Sequence, residues 1–332
     1  MQLDARLDLL TQLQSYMLGN DAGWEAEKEE AYRQNGWFIP QFIDLAVRNI
    51  ATHLLSNRNL QRWIEKYRIP QMQNNPKSVG IVMPGNIPLS GFHDFLVTFL
   101  SGHRQRIMLS SKDDVLLKHL VGKMASRNES VNDLVSFEEM LKGCDAYIAR
   151  SNQPHGSMEQ YLSKYPHIIH RATGATAILS GHETRQQLEL LADDVFQYFG
   201  QGNLSVNKIY VPQQYDFIPL LKVFEKYNWL VDHNKYKNNY DYQLSLLILN
   251  KEFYMTNGAI LLTSGKSPIS PVARLNYEYY SDEQEVLKNY NPDSGQFLVG
   301  THQAPFGRAQ QSVIYELEGP ATLQFLLDLS KN

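Results

Sequence analysis

With 332 residues, 43% of them hydrophobic and 20% charged, the chain has the make-up of an ordinary globular protein and the length for about two domains. A net charge of −4 without any dense run of Lys or Arg leaves no electrostatic footprint for nucleic acid, so polyanions are not expected partners. The single cysteine, Cys144, excludes an internal disulfide and a multi-cysteine metal site. No apolar run reaches the ~20 residues of a membrane span and the first residues lack the apolar core of a signal peptide, so a cytoplasmic protein is expected.

Leu3, Leu7, Leu10, Leu13 and Met17 recur at helical spacing before Gly19-Asn20, and an amphipathic helix is expected to open the chain. Charged residues from Glu25 to Arg33 predict a second, more exposed helix. Pro40 starts a third, whose Phe42, Leu45, Ala46, Asn49, Ile50 and His53 share a face. Only helices are expected up to Pro70. Past a polar linker at 71–77, residues 79–83 read as a short buried strand stopped by Pro84-Gly85 and followed by a helix over 89–100. Strands at 107–109, 146–149, 167–169 and 176–179, with helices from Asp113 and over 158–164, continue the alternation. That pattern predicts an α/β fold with a parallel sheet covered on both faces. A second α/β block follows, with helices over 183–199 and 217–226 and strands over 208–211, 258–262 and 272–277. Residues 297–332 carry Ala304-Pro305-Phe306-Gly307 and a closing helix over 322–329.

The turn Met83-Pro84-Gly85-Asn86-Ile87-Pro88 projects an Asn at the carboxyl ends of the strands, the usual ligand side of such folds. Its amide can donate to an oxyanion, or its side chain can cap the helix that follows. His93 and Asp94 lie one turn into that helix, where substrate contact and a core or capping role are both open. His167 and His170 are three apart on a strand and so face opposite sides, and no metal site is expected. The tyrosine-rich stretches 236–242 and 277–280 fit a core or an interface as well as a channel. Cys144 precedes Asp145 at the amino end of a strand, away from the ligand edge, and reads as a small buried packing residue.

Longer strings are more specific. Trp37-Phe38-Ile39-Pro40, Ser78-Val79-Gly80-Ile81-Val82-Met83, Gly91-Phe92-His93-Asp94-Phe95-Leu96, Leu109-Ser110-Ser111-Lys112-Asp113, Lys164-Tyr165-Pro166-His167-Ile168-Ile169, Asn238-Asn239-Tyr240-Asp241-Tyr242 and Tyr277-Glu278-Tyr279-Tyr280 occur in that order. Together they resemble the acyl-CoA reductase (LuxC-type, long-chain fatty-acyl reductase) family of the aldehyde dehydrogenase superfamily, over nearly the whole chain.

The resemblance implies an aldehyde-dehydrogenase-like fold: a helical N-terminal segment (1–70), a Rossmann-type cofactor domain (78–181), an α/β catalytic domain (182–296) and a C-terminal segment (297–332) that returns to the active-site cleft. It implies NADPH-dependent reduction of a fatty acyl-CoA, or another acyl thioester, to an aldehyde by way of an acyl-cysteine, in a homo-oligomer. On this pattern Met83, Pro84, Gly85, Ser110, Lys112, Ser151, Pro305, Phe306 and Gly307 contact the cofactor, while Asn86 and the amide at residue 203 face the developing oxyanion. Lys112 would hold the ribose or its 2′-phosphate; the alternative is a solvated lysine between Ser111 and Asp113, which cap a helix. Leu179-Ser180-Gly181 lacks the glutamate base of aldehyde-oxidising relatives, which suits acyl transfer.

Two departures touch the chemistry. Asn203 stands where the attacking cysteine is expected, followed by Leu204 and Ser205 in place of Arg-Asn. Arg150-Ser151-Asn152 has lost the glycine of a Gly-Ser turn, which puts a side chain where the backbone would approach the cofactor. A carboxamide neither ionises to a thiolate nor forms a covalent acyl intermediate. The expectation is therefore either an acyl-CoA reductase working without its usual nucleophile, or a non-catalytic paralogue that binds acyl-CoA or a partner subunit.

Overall fold

Four helices lead the chain in the computed structural model, which describes residues 1–151, 156–171, 174–290, 297–300, 304–309 and 313–331. Contacts divide it into two units, Met1–Arg171 with Ile314–Asn332, and Ala172–Val313. In the first unit, α1 (Leu3–Met17) is followed by α2 (Ala22–Gln34), whose start is fixed by Asp21 accepting from Gly23 N and Trp24 N. Helix α3 (Pro40–Asn49) has proline in its first turn and runs into a wider π turn over Ile50–Leu54, where Leu55 N donates to Ile50 O; α4 (Asn57–Tyr67) is capped by Ser56. The buried face of α3 is Phe42, Ile43, Ala46, Val47 and Asn49, with Leu45 only half-buried, so the contact stripe is rotated from the one the spacing suggests.

Beyond the linker come β1 (Ser78–Val82), α5 (Phe92–Ser101), β2 (Arg104–Met108), α6 (Val115–Arg127), β3 (Val135–Phe137), β4 (Ala146–Ser151), α7 (Ser157–Leu162) and β5 (His167–Arg171). The strands form one parallel sheet in the order β3-β2-β1-β4-β5, so the chain reverses direction across the sheet between β1 and β4. Every residue of α5 is buried, the mark of a helix enclosed on all sides. Val79, Ile81 and Ile148 belong to the same cluster as α5, each of its large apolar side chains contributing about 1.5–3 kcal/mol. Alternation sends Tyr147 and Ala149 into a separate small cluster with Leu141, Cys144 and Leu162. Gly80 makes that cluster possible, because a Cβ there would sit 2.7 Å from the Tyr147 ring and 3.1 Å from Cys144 Sγ.

The second unit contains β6 (Ala175–Ile178), α8 (Arg185–Phe196), β7 (Val206–Pro212), α9 (Ile218–Phe224), α10 (Asn234–Asn250), β8 (Met255–Thr256), β9 (Leu261–Ser264), β10 (Arg274–Tyr280), α11 (Glu283–Lys288) and β11 (Phe297–Val299). Its sheet runs β11-β6-β7-β10-β9-β8, parallel except at the short β8–β9 pair. Residues 175–178, which the alternation joins to the first block, therefore pair in this second sheet. Helix α10 occupies the tyrosine-rich stretch for which no helix was evident: Tyr236 and Tyr240 are buried, with Tyr236 Oη donating to Ala259 O at 2.9 Å and Tyr240 Oη meeting Thr256 Oγ1 at 2.9 Å. These two tyrosines belong to the core.

Helix α12 (Val313–Leu329) closes the chain and lies almost wholly within the first unit. His103 ties it down: Nδ1 accepts from Lys77 N at 3.0 Å, which leaves Nε2–H to donate to Leu326 O at 2.7 Å. Burial holds this imidazole below its usual pKa, in keeping with a neutral ring. Among the described residues no helix is long and apolar enough to cross a membrane.

Candidate functional site

The carboxyl edge of the first sheet is assembled from the turns after β1, β2 and β4. After β1, the Met83 side chain packs against Gly91, where a Cβ would meet Met83 Cγ at 2.4 Å, and Ser90 Oγ donates to Pro84 O at 2.7 Å. Gly85 meets the turn after β2 so closely that a Cβ would lie 2.7 Å from Ser110 Oγ and 3.0 Å from Lys112 Cβ. The structure thus brings Gly85, Ser110 and Lys112 together, with Met83 and Pro84 in the same turn. Ser151 ends β4, but its side chain and residue Asn152 lie outside the described residues.

Neither capping alternative applies. Helix α5 begins at Phe92 with Gly91 at its N-cap, well past the half-buried Asn86; α6 begins at Val115 after Asp114, which makes no side-chain cap. Asp113 instead reaches across to the β1 turn, where its Oδ2 accepts from Leu89 N at 2.8 Å and its Oδ1 has no hydrogen-bond partner. That contact holds Leu89 at a φ of 57°. Burial pushes the Asp113 carboxyl up to about 8, against the lowering effect of the Leu89 and Ser90 amides.

Between β1 and β4 the edge is occupied by an ion pair. Asp94, in the first turn of α5, is fully buried and receives Arg150 Nε at 3.1 Å and a second guanidinium nitrogen at 3.3 Å. His93 Nδ1 lies 3.2 Å from the same carboxylate and His170 Nε2 3.7 Å, with Thr322 Oγ1 of α12 3.0 Å from His170 Nε2. Burial alone would raise the Asp94 carboxyl; Arg150, the His93 hydrogen bond and His170 outweigh it and hold the group far below the ordinary carboxylate range. His93 and Asp94 are thus parts of a buried polar cluster. Its sequence signal was an aspartate in an otherwise apolar helix and an arginine on the same strand face as Ala146 and Ile148, two opposite charges on buried faces.

In the second unit, α8 ends at Phe196 because Tyr198, Phe199 and Gly200 take φ values of 56°, 58° and 71°. Left-handed backbone costs about 1–2 kcal/mol at each non-glycine residue. Burial of Tyr198 and Phe199 helps hold the turn, with Phe199 4.6 Å from the His233 ring and 5.7 Å from Tyr236. The helix end expected to run through residue 199 is replaced by this strained turn, and Asn203 follows it, buried, before Ser205 N donates to Gly202 O. The Pro305-Phe306-Gly307 loop is anchored to α8: Gly307 N and Ala309 N donate to the two oxygens of Asp194 at 2.6 and 3.0 Å. Burial pushes the Asp194 carboxyl up to about 7 although both amides pull the other way. Asp194, like Asp113, had no distinguishing signal in the sequence. At Leu179-Ser180-Gly181, Ser180 N, Ser180 Oγ and Gly181 N all donate to the carboxylate of Glu183.

Cys144, the chain's single thiol, is in the first unit, buried just before the amino end of β4 and packed beside Gly80. The described residues contain no group of three His, Cys, Asp or Glu side chains placed to hold a metal.

No protein-family model matches this sequence, and no curated protein matches it. Solved structures do. Aldehyde dehydrogenase 21 from Physcomitrella patens, in complex with the product succinate, has a TM-score of 0.63 at 13% identity, covering 91% of this chain and 74% of that one. The NAD+ complex of an aldehyde dehydrogenase from Bacillus cereus gives 0.62 at 10% identity, covering 92% and 79%. An NADP-dependent enzyme of E. coli gives 0.61 at 11% identity, covering 86% and 70%. The fold is that of the aldehyde dehydrogenases, mixed α/β with parallel sheets.

A dinucleotide at such a switch point calls for a close backbone approach to its pyrophosphate, a helix N-terminus facing the phosphates and an acid for a ribose. Among the described residues, the turns after β1 and β2 are closely packed at this edge. The gap a Cβ would fill at Gly85 is taken by Ser110 and Lys112, the first turn of α5 holds a carboxylate already paired with Arg150, and Asp113 is engaged by Leu89.

Replacing Arg150 with Met strands a buried carboxylate and should lower the unfolding free energy by about 3–5 kcal/mol in urea titrations, whereas Arg150→Met with Asp94→Leu should recover most of it. Equal losses in the single and double variants would show that the pair is not responsible. Because Asp113 and Asp194 are raised when folded, their stabilising contribution is full below the unfolded value near 3.8 and is lost as pH rises through about 7 to 8. Thermal midpoints of the wild type should therefore decline over that window. Asp113→Asn keeps the acceptor for Leu89 N and should flatten the decline; an unchanged slope would contradict it.

Proposed function

We propose that this chain is a non-catalytic relative of the acyl-CoA reductases, which binds a fatty acyl thioester without taking the acyl group onto the protein. The observation that carries the reading is the pairing of a strained left-handed turn at 198–200 with a carboxamide, Asn203, just beyond it, while the single thiol is packed away beside Gly80. Capture of an acyl group needs a thiolate that can reach the carbonyl, and an amide side chain has no such form. In a triad hydrolase, deleting the nucleophile costs on the order of 10⁶ in turnover, so whatever rate persists would rest on binding and on amide donors to the carbonyl oxygen. Support for the acyl thioester as ligand comes from the ordered strings between Trp37 and Tyr280, and support for a related cleft chemistry from neighbours described as aldehyde dehydrogenases.

The direct test is spectrophotometric, with purified full-length protein, NADPH and acyl-CoAs of several chain lengths. No acyl-dependent NADPH oxidation is expected from the wild type or from Asn203→Cys, because the Arg150–Asp94 pair still fills the first sheet's edge. Acyl-CoA alone should raise the melting temperature, by the equivalent of about 2.7 kcal/mol at a hundredfold excess over Kd. Sustained turnover by the wild type would overturn the proposal, and so would acyl-CoA that leaves the melting temperature unmoved.

A further inference from the structure

We propose that the face of the first sheet carrying Tyr147 holds the alkyl chain of a fatty acyl group. The inference rests on the reading of the protein as an acyl binder and adds where the chain goes. A cavity of about 290 Å³ lies against this face, walled by Val82 of β1, Met108 of β2, Met140, Tyr147 of β4, and Met158 and Leu162 of α7. That is close to the lower bound of ~300 Å³ for small-molecule sites.

The chemistry of the wall selects an alkyl chain. Three methionines line it, and their unbranched, polarizable side chains repack around a flexible guest at little cost. Its two phenols face each other: Tyr147 Oη lies 3.5 Å from Tyr161 Oη and also accepts from Cys144 N at 3.4 Å. The phenol of Tyr147 is therefore engaged within the protein, and a guest without polar edges leaves it satisfied. At the mouth, Met140 is 61% and Tyr161 39% exposed, so a chain can enter from solvent. Lys142 supplies an exposed ammonium in the same lining, placed for a carboxylate at the head of the chain or for the anionic carrier of a thioester.

Isothermal titration of the full-length protein with hexanoate, octanoate, decanoate and dodecanoate tests the assignment. Affinity should rise by up to about fourfold with each added methylene that the cavity buries. Met140→Trp, at an exposed rim position, should weaken decanoate binding about tenfold or more, and Lys142→Glu about threefold or more, with unfolding midpoints of the ligand-free variants unchanged. Affinity independent of chain length, or decanoate binding untouched by Met140→Trp, would overturn the site. Adenosine monophosphate that binds the wild type and is lost in Met140→Trp would give the cavity to a nucleotide and likewise overturn it. The two proposals fail separately: acyl-CoA binding insensitive to Met140→Trp removes this site and leaves the proposed function, while decanoate binding without acyl-CoA binding does the reverse.

Discussion

A carboxylate that folding has stripped of water must be neutralised from inside the fold, and at Asp94 the neutralising group is the guanidinium of Arg150. This pair links the first turn of α5 to the end of β4 across the point where the strand order reverses, and His170 and Thr322 extend it to β5 and α12. The helix, the central strands and the returning C-terminal helix are held in one arrangement by a single buried charge. The pair lies at the switch point of the strand order, the edge where an open α/β sheet usually receives a ligand.

The second unit has kept costly backbone geometry. Tyr198 and Phe199 persist in left-handed conformations because both rings are buried, and Asp194 spends its hydrogen-bonding capacity on the amides of Gly307 and Ala309. Such strain is ordinarily held at functional positions, yet the residue that follows has no ionisable atom. A strained turn followed by a carboxamide supports the proposed binding role better than a catalytic one.

Much of the architecture was legible in the sequence. The alternation after residue 78 gave parallel α/β blocks, because buried parallel strands are short continuous apolar runs, and Pro40 does mark the start of α3. Helix α10 was not, since its Asn and Tyr residues have middling helix propensity and its burial is set by packing. The end of α8 was misplaced for a related reason: nothing local in Tyr198-Phe199 announces positive φ, which their surroundings enforce. Of the candidate site, Gly85, Ser110 and Lys112 lie together in the folded chain, while the roles of Asp94, Asp113 and Asp194 depend on partners distant in sequence and could be found only once the chain was folded.

The central claim is that no side chain of this protein takes an acyl group from a thioester. Intact-mass spectrometry of the full-length protein after incubation with a long-chain acyl-CoA tests it most directly, since an acyl-enzyme adds the mass of one acyl chain. The expected spectrum is that of the unmodified polypeptide at every incubation time. A stoichiometric adduct that is removed by hydroxylamine, on Cys144 or any other residue, would contradict the account.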